Sequence, residues 1–140
     1  MAHLRTIGIL GGGQLGKMFL QKGYDFNLDF FVLDPDANCS CSKICNNFIQ
    51  GDFKDFDTVY NFGKQIDLIT IEIEHVNIEA LEKLEKEGKK VFPQPAVLRI
   101  IQDKGLQKEF YKQNNIPTSP FVLVNNREEI YQHKNLLPVM

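Results

Sequence analysis

The sequence predicts an α/β fold with a mainly parallel sheet, followed by the start of a second, incomplete α+β domain. Short apolar runs alternate with stretches whose apolar residues recur at helical spacing, which is typical of parallel strands joined by helices. The first run, residues 5–10, leads into a glycine cluster, and an amphipathic stretch begins at Gln14. We therefore expect a strand, a tight turn and a helix in that order.

The glycine-rich turn is the first candidate site. Gly11, Gly13 and Gly16 fit the G-x-G-x-x-G pattern, and Asp34 follows Gly16 by 18 residues, close to the roughly 20 of a dinucleotide-binding unit. Glycines let backbone N–H groups approach a ligand, and a helix that begins at Gln14 directs its positive end to the same place. We expect an anion here. The alternative is a turn that only packs the helix against the strand.

Carboxylates follow two later strands, at the edge of the sheet where ligands bind. The second strand is predicted over residues 28–33, and Asp34 after it either bonds a ribose hydroxyl or caps the next turn. The run 65–71 is another strand, and Glu72 and Glu74 leave its end on the same side of an extended chain. For Glu72 the alternative is a solvent-exposed strand end.

The other elements are predicted from turn residues and periodicity. Glutamates and lysines four apart on the helix 78–86 are expected to pair as Glu79–Lys83 and Glu82–Lys86. Further helices are predicted over 14–23, where Gly23 ends the helix, after the candidate caps Asp52 and Asp55, from Pro95, after Asp103 with Leu106 and Phe110 buried, and over 128–133. Further strands are predicted over 47–50, 91–92, 121–124 and 136–140.

Composition limits the classes of function. The 140 residues suffice for one core and the beginning of a second domain, and we predict domains over 1–103 and 104–140. A net charge of −2 provides no field for nucleic acid. The apolar runs are shorter than a membrane helix needs, and the first residues do not form a signal peptide. We expect a cytoplasmic protein without nucleic-acid or membrane partners.

The cysteines lie together in one connecting segment, at positions 39, 41 and 45. Their spacing is not that of a zinc site, so we expect reduced thiols and no metal. A zinc ion completed by the distant His3 or His75 is the alternative.

Six motifs occur in the order found in one enzyme family. They are IGILGGGQLGKM at 7–18, VLDPD at 32–36, TIEIEHV at 70–76, FPQP at 92–95, IQDK at 101–104 and IPTSPF at 116–121. Together they resemble the N-terminal part of the 5-(carboxyamino)imidazole ribonucleotide synthases, the ATPase subunits of phosphoribosylaminoimidazole carboxylase in the ATP-grasp superfamily. The segment 38–45 departs from that family's alanine-rich pattern.

The resemblance implies a Rossmann-like pre-ATP-grasp domain and a place in purine biosynthesis. ATP and bicarbonate would form carboxyphosphate, and the amine of 5-aminoimidazole ribonucleotide would take up the carboxyl group with Mg²⁺ present, in a homodimeric enzyme. The resemblance assigns Gly13, Gln14, Leu15 and Gly16 to the phosphoribosyl or imidazole part of the substrate, Glu74 and Glu72 to a substrate hydroxyl or amine, and Lys104 to ATP phosphates. For Lys104 an ordinary surface lysine is the alternative.

The family's glycine-rich ATP loop and acidic Mg²⁺ ligands lie beyond the motifs found here. We therefore expect an N-terminal fragment that holds no catalytic residue and does not carboxylate on its own, with residues 105–140 loosely packed or resting on another copy. Two other functions stay open. One is a formate-dependent glycinamide ribonucleotide transformylase, which normally has glutamate where this chain has Gln14. The other is an NAD-binding module.

Overall fold

The computed structural model describes residues 6–133, and the chain divides after Arg99 into two compact units. The predicted strand over 136–140 lies outside the described residues, and the predicted domain boundary after residue 103 stays a prediction. The elements in chain order are β1 (Thr6–Leu10), α1 (Gln14–Gly23), a 3₁₀ turn (Tyr24–Phe26), β2 (Asp29–Asp34), β3 (Asn47–Gln50), α2 (Phe56–Lys64), β4 (Leu68–Ile71), α3 (Ile78–Lys86), β5 (Lys90–Phe92), α4 (Pro95–Gln102), α5 (Lys104–Gln113) and α6 (Arg127–Gln132).

The first unit is built on five parallel strands in the order β3-β2-β1-β4-β5. This confirms the predicted α/β class with its parallel sheet. Leu10 of β1 stands in register with Leu33 of β2 and Ile71 of β4. The residues one position further along these three strands therefore meet at one edge of the sheet.

Apolar side chains cover both faces of the sheet. On one face, Leu10 and Leu33 pack with helices α2 and α3, where Leu81 and Leu84 are fully buried. On the other, Ile9 and Val32 pack with Leu20 of α1 and with two cysteines. Neighbouring residues of a strand point to opposite faces, so each central strand contributes to both cores. No described helix is long and apolar enough to cross a membrane.

Helix caps follow the sequence signals at Asp55 and Asp103 but not at Gly23. Asp55 accepts hydrogen bonds from the Thr58 backbone N–H and hydroxyl, both at 2.7 Å. Gly23 instead keeps a right-handed φ of −77°, and the chain turns left-handed only at Asn27. The predicted C′ position was wrong because Gly23 is the last residue of α1 and the chain continues directly into the 3₁₀ turn.

The predicted ion pairs on α3 were also wrong. Arg99 takes both glutamates, with its Nη2 2.9 Å from Glu82 Oε1 and 3.4 Å from Glu79 Oε1. Lys83 lies over the Tyr60 ring, 4.0 Å from its centroid. A planar guanidinium can donate hydrogen bonds to two carboxylates at once. A lysine ammonium is a compact, strongly hydrated charge, and it can also lie over an aromatic ring.

The second unit exposes much of its apolar surface. Asp103 caps α5 as predicted, accepting from the Gly105 and Leu106 N–H groups. Leu106 and Phe110 are exposed by 53% and 40%, so the expectation that α5 buries them was wrong. Residues 121–124 form no strand. A strand is held by hydrogen bonds to a neighbour, and within residues 100–133 the structure contains only helices and irregular segments.

Candidate functional site

The glycine-rich turn is held from three directions. From β2, the Leu33 carbonyl accepts the Gly11 N–H at 3.0 Å. From the end of β4, the Glu72 N–H donates to the Leu10 carbonyl at 2.9 Å. From the cysteine segment, the Cys41 N–H donates to the Gly12 carbonyl at 2.9 Å. These bonds fix the turn at the carboxyl edge of β1, where the sequence predicted the site.

Two glycines of the turn meet different needs. Gly11 has a φ of +104°, a left-handed conformation that side chains disfavour. Gly16 lies inside α1, and a Cβ there would stand 2.7 Å from the Gly11 carbonyl oxygen. Gly16 therefore lets the first turn of α1 approach the end of β1. The predicted packing role of the glycine pattern is present in the structure.

Asp34 binds the turn rather than pointing away from it. Its Oδ2 accepts the Gly12 N–H at 2.6 Å, and its Oδ1 accepts the Asp36 N–H at 2.8 Å. The second bond is the turn cap that was one of the two predicted roles. The first bond ties β2 to the glycine-rich turn, and the sequence did not predict it.

Glu72 places a carboxylate beside the turn. A Cβ built on Gly13 would lie 3.4 Å from Glu72 Oε2, and one built on Gly11 would lie 2.7 Å from it, so the carboxylate lies directly beside the turn. Burial raises the pKa of Glu72, and the nearby Asp34 and Glu74 carboxylates raise it further. None of the described residues donates a hydrogen bond that counters these effects. Glu72 is therefore a partly buried carboxylate that can accept hydrogen bonds from a ligand.

A cavity of about 220 Å³ opens next to this carboxylate. Leu15, Gly16 and Glu72 of the predicted site contribute to its wall, and Thr70 with three apolar residues of β1, β4 and α1 forms the remainder. The described wall does not include Gln14, which is exposed at the start of α1, or Glu74. Glu74 Oε1 instead lies 4.0 Å from His75 Nε2. Residues 72–74 form a bend and not a continued strand, so the shared side of Glu72 and Glu74 stays a prediction.

Lys104 belongs to the second unit. It is the first residue of α5, is exposed, and its Nζ lies 3.4 Å from Gln107 Oε1. A larger hollow of about 670 Å³ in this unit is lined by residues between Glu109 and Leu123 and contains none of the predicted site residues.

The cysteines support the turn, which sequence reasoning missed. A Cβ on Gly12 would lie 2.5 Å from Cys39 Sγ, and Cys41 Sγ lies 3.9 Å from the Gly13 carbonyl oxygen. All three thiols are free, as predicted. No three His, Cys, Asp or Glu side chains in residues 6–133 are grouped so that they could hold a metal ion. Nothing in the spacing of these cysteines signals a contact with residues 12 and 13.

Comparison with known proteins gives one consistent family. Residues 4–102 match the ribonucleotide synthetase preATP-grasp domain. The chloroplastic phosphoribosylaminoimidazole carboxylase of Vigna aconitifolia is 39% identical over 121 residues, which are 86% of this chain and 22% of that protein.

Solved structures agree with this match. The N5-carboxyaminoimidazole ribonucleotide synthetase of Thermotoga maritima has a TM-score of 0.83 and 37% identity, over 92% of this chain and 36% of that one. The Aspergillus clavatus N5-carboxyaminoimidazole synthase in complex with ADP and 5-aminoimidazole ribonucleotide has a TM-score of 0.75 and 36% identity, over 86% of this chain and 32% of that one.

The chain thus spans little more than a third, at most, of the length of each of these relatives. The matched residues include the five strands, the glycine-rich turn and both Asp34 and Glu72. The chain therefore belongs to the ribonucleotide synthetase preATP-grasp domain family.

Proposed function

We propose that this chain is the N-terminal, substrate-binding part of an ATP-dependent carboxylase of purine biosynthesis. The reaction would convert 5-aminoimidazole ribonucleotide, bicarbonate and ATP to 5-(carboxyamino)imidazole ribonucleotide, ADP and phosphate. The observation that carries the proposal is the Glu72 carboxylate, which lies against the glycine-rich turn beside a 220 Å³ cavity. The related Aspergillus clavatus enzyme was solved with this ribonucleotide.

The chemistry of the site favours the amine and hydroxyl groups of the substrate over its phosphate. Glu72 can only accept hydrogen bonds when it is ionised, and an amine or a ribose hydroxyl can donate them. A phosphate in the same place would meet the Glu72 and Asp34 carboxylates and be repelled. Leu15, Phe19 and Ile71 line the cavity with apolar surface, which suits the flat face of an imidazole ring.

ATP and Mg²⁺ are the remaining ligands of the proposed reaction. Lys104 is the residue that we assign to an ATP phosphate, since its ammonium is exposed at the start of α5. Mg²⁺, when bound, would neutralise charge on the phosphates during transfer. The described residues form no metal site, so none of them is assigned to the ion. A homodimeric assembly in the cytoplasm completes the proposal.

Calorimetric titration of the chain with 5-aminoimidazole ribonucleotide tests this function. We expect wild-type binding that Glu72→Gln weakens by about ten- to a hundredfold, because a hydrogen bond to a charged group contributes roughly 1.5–3 kcal/mol. Gly13→Val should weaken it too, because its side chain enters the space between the turn and Glu72.

Glu74→Gln is the matched comparison, since it changes a neighbouring carboxylate that does not line the cavity. A loss on Glu74→Gln alone would move the acceptor from Glu72 to Glu74. Tighter binding of glycinamide ribonucleotide would favour the transformylase instead. A wild-type chain that binds neither compound at millimolar concentration would contradict the proposed substrate site.

A further inference from the structure

The Gly12 amide is one of the backbone N–H groups of the turn that a phosphate could use, and it is already occupied. In dinucleotide-binding turns the second glycine of the pattern, here Gly13, allows the backbone to approach a pyrophosphate, and the Gly12 amide comes directly before it. Here the Gly12 N–H donates at 2.6 Å to Asp34 Oδ2. A bond from an amide to a carboxylate is about twice as strong as a bond between neutral groups. An incoming phosphate would have to break it.

We propose that Asp34 is a positioning and specificity-determining residue, which fixes the glycine-rich turn and closes its Gly12 amide to phosphate groups. Its two oxygens act on different parts of the chain, one on the turn and the other on the Asp36 N–H. The carboxylate is therefore held in place by its own loop while it holds the turn. The same residue that completes the dinucleotide spacing thus withholds one amide of the turn from a dinucleotide.

The packing around Gly12 supports this role. A Cβ on Gly12 would lie 3.2 Å from Asp34 Cβ, 3.2 Å from Val32 Cγ1 and 2.5 Å from Cys39 Sγ. The backbone of the turn is pressed against β2 and the cysteine segment on this side. With Asp34 behind the turn and Glu72 beside Gly13, carboxylates lie on both sides. The ligand chemistry that remains is a neutral or cationic hydrogen-bond donor, which deepens the proposed function and rests on it.

The test compares Asp34→Asn with Asp36→Asn. Both substitutions remove one negative charge from the same loop at nearly constant volume, but Asp36 Oδ1 accepts only the Asn38 N–H and does not bond the turn. Asparagine at position 34 offers one acceptor oxygen in place of two, so one of the two bonds is lost. Amide exchange at Ile69 and Val91, both buried in the sheet, verifies that each variant is folded.

The readout is the amide spectrum of residues 12–14 during titration with inorganic phosphate, and separately with NADH. We expect no response from these amides in wild type or Asp36→Asn. In Asp34→Asn we expect about tenfold faster exchange of the Gly12 amide and at least tenfold tighter phosphate binding, seen as shifts of the same amides. A role in stability alone would change exchange throughout the sheet and leave phosphate binding unchanged.

Two results would overturn the inference: phosphate or NADH shifting the turn amides in wild type, or Asp34→Asn binding phosphate no more tightly than Asp36→Asn. Titration of the same samples with 5-aminoimidazole ribonucleotide separates this inference from the proposed function. A wild-type chain that excludes phosphate from the turn but does not bind the ribonucleotide would contradict the proposed function and support the role of Asp34.

Discussion

At the scale of single residues, Glu72 is placed for binding rather than for stability. Burial and the carboxylates of Asp34 and Glu74 raise its pKa above its ordinary value of 4.5. An acid whose pKa is raised on folding stabilises the folded state only while it is protonated. Its contribution is complete below pH 4.5 and is lost as the pH rises through the raised pKa. At neutral pH the ionised Glu72 therefore lowers the free energy of unfolding.

Replacing this carboxylate by an amide should make the free protein more stable at neutral pH. We expect Glu72→Gln to raise the free energy of unfolding at pH 7 by on the order of 0.5 kcal/mol, since solvent screens a partly exposed group. The difference from wild type should vanish below pH 4.5. Urea unfolding from pH 3.5 to 7 measures it. A variant less stable than wild type at pH 7 would show that Glu72 is held by favourable contacts.

At the scale of elements, the approach of α1 to β1 depends on Gly16. A methyl group there would collide with the Gly11 carbonyl oxygen, which belongs to the backbone and cannot rotate away. We expect Gly16→Ala to destabilise the protein by about 1–3 kcal/mol, as overpacking does, despite the better helix propensity of alanine. Urea unfolding measures the loss.

Gly13→Ala is the control for this effect. Gly13 has an ordinary φ of −71°, and its added Cβ would come no closer than 3.4 Å to Glu72. We expect a change within about 0.5 kcal/mol. Equal losses for the two variants would mean that the glycines serve backbone conformation, and that the close packing of α1 on the turn contributes little.

The helices of the two units differ in how much packing supports them. Leu84 of α3 is fully buried between the sheet and α2, whereas Leu106 of α5 is 53% exposed. We expect Leu84→Ala to cost about 2–5 kcal/mol and Leu106→Ala less than about 0.5 kcal/mol. Hydrogen exchange should be fast throughout α5 and slow in α3. A large loss on Leu106→Ala, in a monomer, would mean that α5 is packed more firmly than its exposure indicates.

At the scale of the whole molecule, the sequence predicted what short stretches determine by themselves. The caps at Asp55 and Asp103 and the inward face of α3 depend on neighbours within a few residues. The errors arose where a distant group decides. Arg99 takes the glutamates of α3, and the bond from the Gly12 N–H to the Asp34 carboxylate was not predicted. The predicted strand 121–124 has no neighbouring strand within residues 100–133.

The three cysteines report on the whole sheet, because they pack against β2 and against the turn that follows β1. Cys41 and Cys45 are buried, and Cys39 is partly exposed. Burial raises the pKa of Cys41 to about 11, so its thiol is protonated at neutral pH, and the thiolate is the reactive form.

We expect an aromatic disulfide reagent to modify only Cys39 quickly in the native protein. Cys41 and Cys45 should react at least about a hundredfold more slowly than in denaturant, because the reagent reaches them only when this face of the sheet opens. Mass spectrometry of the intact chain counts the modified thiols, and Cys39→Ser should abolish the fast phase. Simultaneous reaction of all three thiols in native buffer would mean that the core formed by Ile9, Val32 and Leu20 opens freely, so that the turn above it is not held rigidly for a ligand.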